Sequence, residues 1–206
     1  MRGIVAPTTL NVDSLTHEAR ARTTLALRFA TLGISLAFAS LVTAYLVARL
    51  GRNPFVSSGV ALPHLVMPIW FWFSTLVVMV SSLSLWGAGQ FAELDNPRLA
   101  RRAYLAATAL GYLFLLLQIP GVTELYLRHR GQMPHHVGVY GLVFLLFGLH
   151  GLHVLGGLPL LTRRAFALSS RPLDREHREE LAPLSLYWHF LTILWIVLWN
   201  LLLLVG

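Results

Sequence analysis

Five apolar stretches take up most of this 206-residue chain and set the limits on what it can fold into; they run approximately over residues 29–48, 65–86, 104–126, 137–161 and 184–205. An α-helix rising about 1.5 Å per residue needs about 20 residues to cross some 30 Å of hydrocarbon. That layer holds no water to satisfy backbone groups, so each stretch is expected to be helical. The fold class expected is therefore all-α: one polytopic membrane domain over residues 1–206, a bundle of five transmembrane helices preceded by a tail at residues 1–27. Composition agrees, with 56% hydrophobic and 12% charged residues and a mean hydropathy of +0.65.

Charge orients the bundle. All 16 basic residues are arginine, and 12 of them fall in the tail and the second and fourth connections, against Arg49, Arg52, Arg128 and Arg130 on the other side. The positive-inside bias places the N-terminus in the cytoplasm and the C-terminus outside. It also accounts for the net charge of +7 without a nucleic-acid partner. No apolar run precedes residue 28, so the first span is expected to act as its own signal. The absence of cysteine excludes disulfides, thiolate metal sites, iron–sulfur ligation and covalent haem attachment. The connections are short, and the longest, "TRRAFALSSRPLDREHREELAP", has room for a surface helix at most. Pro63 and Pro183 are expected at helix entrances, and Pro120 is expected to kink or loosen the third span.

Few polar side chains lie inside the spans: Gln118 and Glu124 in the third, His150 and His153 in the fourth, His189 and Asn200 in the fifth, and hydroxyls such as Thr31, Ser35, Ser81 and Ser84 in the first two. By depth, Glu124 sits near the outer surface, while His153 and His189 share a level with the serines. His150 and His153, at i and i+3 on one helix face, are compatible with a metal, and either could join His189 as axial ligands of a b-type haem. The favoured reading is a structural polar seam of His150, His153 and His189, since intramembrane histidines find hydrogen-bond partners and no further strong metal ligand lies at that depth. Gly141, Gly148, Gly151, Gly156 and Gly157 are expected to let neighbouring helices approach closely.

"GVYGLVFLLFGLHGLHVLGGL" in the fourth span and "YWHFLTILWIVLWNLLLL" in the fifth resemble the signature segments of subunit III of the haem–copper terminal oxidases, the cytochrome c oxidase family. "STLVVMVSSLSLWGA" in the second span and "AYLVAR" closing the first fit more loosely. Five spans resemble the short bacterial form, which lacks the first two helices of the seven-helix form. The resemblance implies a subunit of the bacterial cell membrane with no redox centre of its own, haem and copper being carried by partner subunits. It further implies packing against the catalytic subunit I, phospholipid held in a cleft, and support for proton uptake and durability during turnover. His150, His153, Trp188 and His189 match the family's "HGLHV" and "WHF" segments, where none is a metal ligand. Three departures weigh against a proton-handling role: the family's buried glutamate falls at Ile34, Thr192 stands where an aspartate often follows "YWHF", and "QIPGVTELYL" in the third span fits the family's glutamine-to-glutamate spacing poorly. Such gaps also fit relatives that accompany quinol oxidases or nitric oxide reductases. Acyl chains are expected to fill an apolar gap between helices, with Arg28 and Arg102 as headgroup cations at its rim and Tyr187 and Trp188 at the same level as interface aromatics.

Overall fold

The computed structural model describes residues 12–50, 64–170 and 175–205; Arg2, Arg52, Pro63 and Arg171 lie outside the described residues. Five long helices make up the described chain: α1 (Val12–Leu50), α2 (Ile69–Glu93), α3 (Pro97–His129), α4 (Val137–Ser170) and α5 (Arg175–Val205), with a short 3-10 turn at Met133–His135. Each contains a segment long and apolar enough to cross a membrane: Arg28–Leu50, Ile69–Glu93, Pro97–His129, Val137–Phe166 and Ala182–Val205. No β-strand occurs among the described residues.

Cross-helix contacts define an up-and-down bundle. Ser81 of α2 meets Ala107 of α3, and Ser74 meets Gln118, so these two helices run antiparallel. Arg49 of α1 donates through Nε to the carbonyl of Val205 on α5 at 2.8 Å, which makes α1 and α5 parallel. One end of the bundle therefore carries Arg28, Arg98, Arg101, Arg102, Arg163 and Arg164; the opposite end carries Arg49, Arg128 and Arg130 together with His129, His135 and His136. The arginine-rich end is the end expected from charge to face the cytoplasm.

The α2–α3 turn shows local chemistry at work. Asp95 takes a left-handed conformation (φ 53°), which a short polar side chain tolerates better than most. Asn96 then accepts the Leu99 N–H through Oδ1 at 3.2 Å, and Pro97 occupies the first helical turn, where its missing N–H costs little.

Two expectations change. Pro183 does not open a helix: α5 begins at Arg175 and carries Pro183 inside, so most of the charge-rich connection is taken up by the extended ends of α4 and α5. Close approach of helices also depends on other glycines than expected. Side-chain positions at Gly141, Gly148, Gly151 and Gly156 meet nothing within 4 Å, whereas a Cβ on Gly111 of α3 would stand 2.8 Å from Leu158 and from the Trp188 indole. One on Gly121, beside Pro120, would stand 2.8 Å from the Phe71 ring. Gly157 alone of the expected set is tight, 3.1 Å from Tyr187. Large aromatic rings fill the space these three residues leave.

Candidate functional site: the polar and aromatic core of the bundle

An aromatic cluster lies at the centre, where α2, α3, α4 and α5 meet. Trp195 is 1% exposed and packs against Phe71, Phe114, Phe147 and His150, with ring centroids 5.8, 5.3, 5.6 and 5.2 Å away. Its indole N–H donates to Thr75 Oγ1 at 2.9 Å, and Thr75 in turn donates to the Phe71 carbonyl. A helix carbonyl can accept a second bond beside its own ladder bond, and here it also receives Ser74 Oγ, which accepts from Gln118 Nε2 at 3.0 Å. Nearer the arginine-rich end, Trp188 donates to Ser81 Oγ at 3.1 Å and Ser81 donates to the Ala107 carbonyl at 2.7 Å, linking α5, α2 and α3 in one chain. Satisfying each donor inside the bundle is what hydrocarbon demands.

The three histidines occupy separate surroundings. His189 lies between α2 and α5, with Nδ1 2.6 Å from Ser82 Oγ and Nε2 3.2 Å from Ser185 Oγ. Its α2 partner is Ser82, not Ser81 or Ser84. His153 turns toward α1: its Nδ1–H donates to the Leu149 carbonyl of its own helix at 2.6 Å, and its ring meets Phe38 edge-on at 5.9 Å. His150 is 2% exposed, walled by Phe114 and Trp195, and neither ring nitrogen has a hydrogen-bond partner. The structure thus resolves the expected seam into one cross-helix hydrogen-bonded histidine, one that bonds within its helix, and one held by ring packing. Among the described residues no group of three or more His, Asp or Glu is placed to hold a metal ion. A haem bridged by spans four and five would need a ring nitrogen on each span turned into open space. His189 has both nitrogens against hydroxyls, and His150 is closed in by rings.

The four expected interface residues divide as well. Arg28 is exposed and lines a groove of about 420 Å³ between α1 and α5, together with Thr31, Ser35 and Pro183. Arg102 is exposed on α3 away from that groove. Tyr187 and Trp188 are not at a rim but inside: Tyr187 donates its hydroxyl to the His153 carbonyl at 3.2 Å, and Trp188 fills the space over Gly111. Glycine at 111 and 157 makes that inward position possible, and spacing along one helix could not reveal it. Ile34 is partly buried against the core, and buried Thr192 donates to the Trp188 carbonyl. Glu124 is paired with Arg128 on the same helix, away from the histidines.

Sequence reasoning missed His129. It is 4% exposed at the end of α3, donates through Nδ1 to the Leu125 carbonyl at 2.9 Å, and accepts the Val66 N–H at Nε2. It thereby holds the non-helical segment before α2 on the bundle. The signal was a histidine in the last helical turn of a "RHRGQMPHH" stretch, which the sequence alone does not distinguish from a solvated loop residue.

Comparison with known proteins matches the sequence of this chain to one family. Its description is cytochrome c oxidase subunit III, and its sequence profile matches residues 35–206, which cover four spans whole and the first from Ser35 onward. The chain is similar to subunit 3 of the cytochrome bo(3) ubiquinol oxidase of Pseudomonas putida, 29% identical over 64% of this chain and 63% of the relative. It is 28% identical to the corresponding bo(3) subunit of Pseudomonas aeruginosa over 82% of this chain and 78% of the relative. Subunit 3 of the cytochrome c oxidase of Thermostichus vulcanus is also 28% identical, over 82% of this chain and 80% of the relative. The chain spans less than two thirds of the Pseudomonas putida protein's length in that match and about four fifths of the other two. The family match covers residues 35–206, most of the chain and the range that holds His150, His153, Trp188 and His189: the chain belongs to the cytochrome c oxidase subunit III family.

Proposed function

We propose that this chain is the non-catalytic subunit III of a haem–copper respiratory oxidase in a bacterial cell membrane, with its arginine-rich end in the cytoplasm. It packs against the catalytic subunit I, which with other subunits carries the haem and copper, and it supports assembly and sustained proton-coupled oxygen reduction. The observation that carries this reading is the use made of polar groups at membrane depth. Trp188, Trp195, His189 and Gln118 tie helices to one another through Ser81, Thr75, Ser82 and Ser74, the chemistry of a scaffold. Ile34 and Thr192 leave no carboxylate at the two positions where the family resemblance would put one, which favours assembly and lipid holding over proton transfer.

Phospholipid belongs to the same proposal. The groove at Arg28 has a cation at the membrane boundary and the hydroxyl-bearing residues Thr31 and Ser35 behind it, which suits an anionic headgroup. Arg102 does not line that groove, whose walls are α1 and α5, and is assigned to topology alone.

Purification of the tagged chain in mild detergent tests the proposal. A haem-bearing catalytic subunit is expected to co-purify, and the chain stripped of it should show no Soret band. A stable monomer purified without partners would remove the scaffold reading. A Soret band that stayed with the isolated chain would favour instead an electron-carrying b-type cytochrome. Arg28→Gln should lower the anionic lipid retained by the complex; Arg102→Gln should not.

A further inference from the structure

While Trp188 and Trp195 fill the core, the opposite face of α5 carries a seam of its own. Phe190, Ile193, Val197, Asn200 and Leu204 follow one another at alternating steps of three and four residues, the repeat of a helix that pairs along its length. Ile193, Val197 and Leu204 are each more than half exposed, Asn200 is exposed among them, and Phe190 is half-buried at the lower end. Asn200 is the polar member of this seam. Its Nδ2 donates to the Ile196 carbonyl of its own helix at 2.8 Å, which uses one of its two N–H bonds and leaves the amide oxygen free to accept.

Depth makes that spare capacity costly. Arg28 and Arg49 stand near the two ends of the α1 span, about 31 Å apart at 1.5 Å per residue, close to the thickness of the hydrocarbon layer. Arg49 bonds to Val205 at the end of α5, so Asn200, a turn and a half earlier on that helix, lies about 7 Å inside the layer. Acyl chains offer an amide nothing to bond with, and polar side chains at membrane depth face protein as a rule. An exposed Asn200 therefore marks this seam as a contact with another helix.

We propose that the α5 seam pairs with the same seam on a second copy of this chain, around a two-fold axis along the membrane normal. This rests on the chain spanning a membrane, not on its place in an oxidase. Two copies in one membrane share an orientation, so their α5 helices meet in parallel and their Asn200 side chains meet at one depth. A carboxamide both donates and accepts, so each Asn200 gives its spare N–H to the oxygen of the other, the self-complementary match that a two-fold contact requires. Ile193, Val197 and Leu204 then pack on their own counterparts, and the single polar position fixes the register of the pair. Residues 184–205 contain no Asp, Glu or Arg, so the symmetric contact brings no like charges together along the seam. A foreign helix would have to present a matching polar side chain at this depth; a second copy does so by symmetry.

The chain has no cysteine, so a single introduced one reports on a single position. Val197→Cys and Leu204→Cys, made separately in the tagged full-length chain, are oxidised in native membranes with copper phenanthroline and the products identified by mass. Each should give a disulfide-linked pair of this chain, whereas Leu116→Cys, exposed on α3, should give none. Adding Asn200→Leu to Val197→Cys should lower the yield several-fold, and adding Asn200→Gln, which keeps the amide, should lower it less. Linkage of the seam cysteines to a different polypeptide would overturn the proposal, since a foreign helix would then be the occupant. A yield insensitive to Asn200→Leu, or equal linkage from Leu116→Cys, would overturn it as well. A second measurement needs no cysteine: two differently tagged wild-type copies, co-expressed and extracted in mild detergent, should be recovered together on either tag, several-fold less so when both carry Asn200→Leu. Recovery of one tag alone from wild type would overturn the pairing. Failure of the oxidase assignment would show in the other chains that co-purify and not in this self-association.

Discussion

The α2–α3–α5 side of the bundle and the α1 side are both apolar, but they are joined in different ways. On the first, indoles and amides reach across to hydroxyls on another helix: Trp195 to Thr75, Trp188 to Ser81, Gln118 to Ser74 and His189 to Ser82. On α1 the hydroxyls of Ser35, Ser40 and Thr43 donate back to carbonyls four residues earlier on α1 itself. Phe38 and Tyr45 are buried against the bundle, and Arg49 reaches the last turn of α5. One side is therefore specified by hydrogen bonds of fixed direction and by glycine-to-aromatic fits. The other is specified mostly by shape, with a directed bond from Arg49 at its end. The α2–α3–α5 side should tolerate little change, and α1 should behave as a helix seated on a finished core.

The largest expected effect is on the core side. Trp195→Ala removes an indole packed against four rings and the hydrogen bond it donates to Thr75; a loss of about 3–5 kcal/mol is expected for truncating a buried aromatic. Thermal unfolding of the complex in detergent should show it, and a wild-type midpoint would mean the aromatic cluster does not carry the bundle. Gly111→Ala comes next. Its Cβ would stand 2.8 Å from the Trp188 indole and from Leu158, so overpacking of about 1–3 kcal/mol follows and α5 should dissociate at lower temperature.

The histidines sharpen the comparison at smaller cost. His189→Leu leaves Ser82 and Ser185 without the imidazole and should destabilise by about 1 kcal/mol, the scale of hydrogen bonds between membrane helices. His150→Leu removes a buried ring with no hydrogen-bond partner, so it should be neutral or stabilising. If the two variants unfolded alike, the assignment of His189 to bonding and His150 to packing would be wrong. The smallest effect belongs to α1. A side chain at Gly33 meets nothing within 4 Å, so Gly33→Ala should gain about 0.5–1 kcal/mol from helix propensity, opposite in sign to Gly111→Ala. A loss there would reveal a close packing partner against α1 in the complex.

Much of the fold was legible beforehand because a membrane span is a one-dimensional property: length and hydropathy along the chain suffice to give the five membrane-capable helices found among the described residues, though α2 starts at Ile69, four residues later than expected. The ends were read less well. Pro183 looked like a helix start, but charged residues before it continue the helix beyond the apolar core. The polar core was legible in composition and not in pairing. His150, His153 and His189 were singled out as a group, yet their rings face α3 and α5, α1, and α2 respectively. Trp188 matched an interface pattern in one dimension and lies buried in three.

Hydropathy and arginine placement alone determined that this chain is a bundle of five membrane helices, because the free energy of removing backbone and charge from water depends on local composition. Segments such as "HGLHV" and "YWHF" determined the family through residue identity and order. The tertiary structure decided which glycines are crowded, which serine faces His189, that Trp188 turns inward, and that Arg28 lines a groove between α1 and α5. Those outcomes depend on the rotation of each helix about its own axis relative to its neighbours. Inside hydrocarbon nearly every face of a helix is apolar, so periodicity in the sequence carries little information about that rotation, and packing of specific side chains must set it.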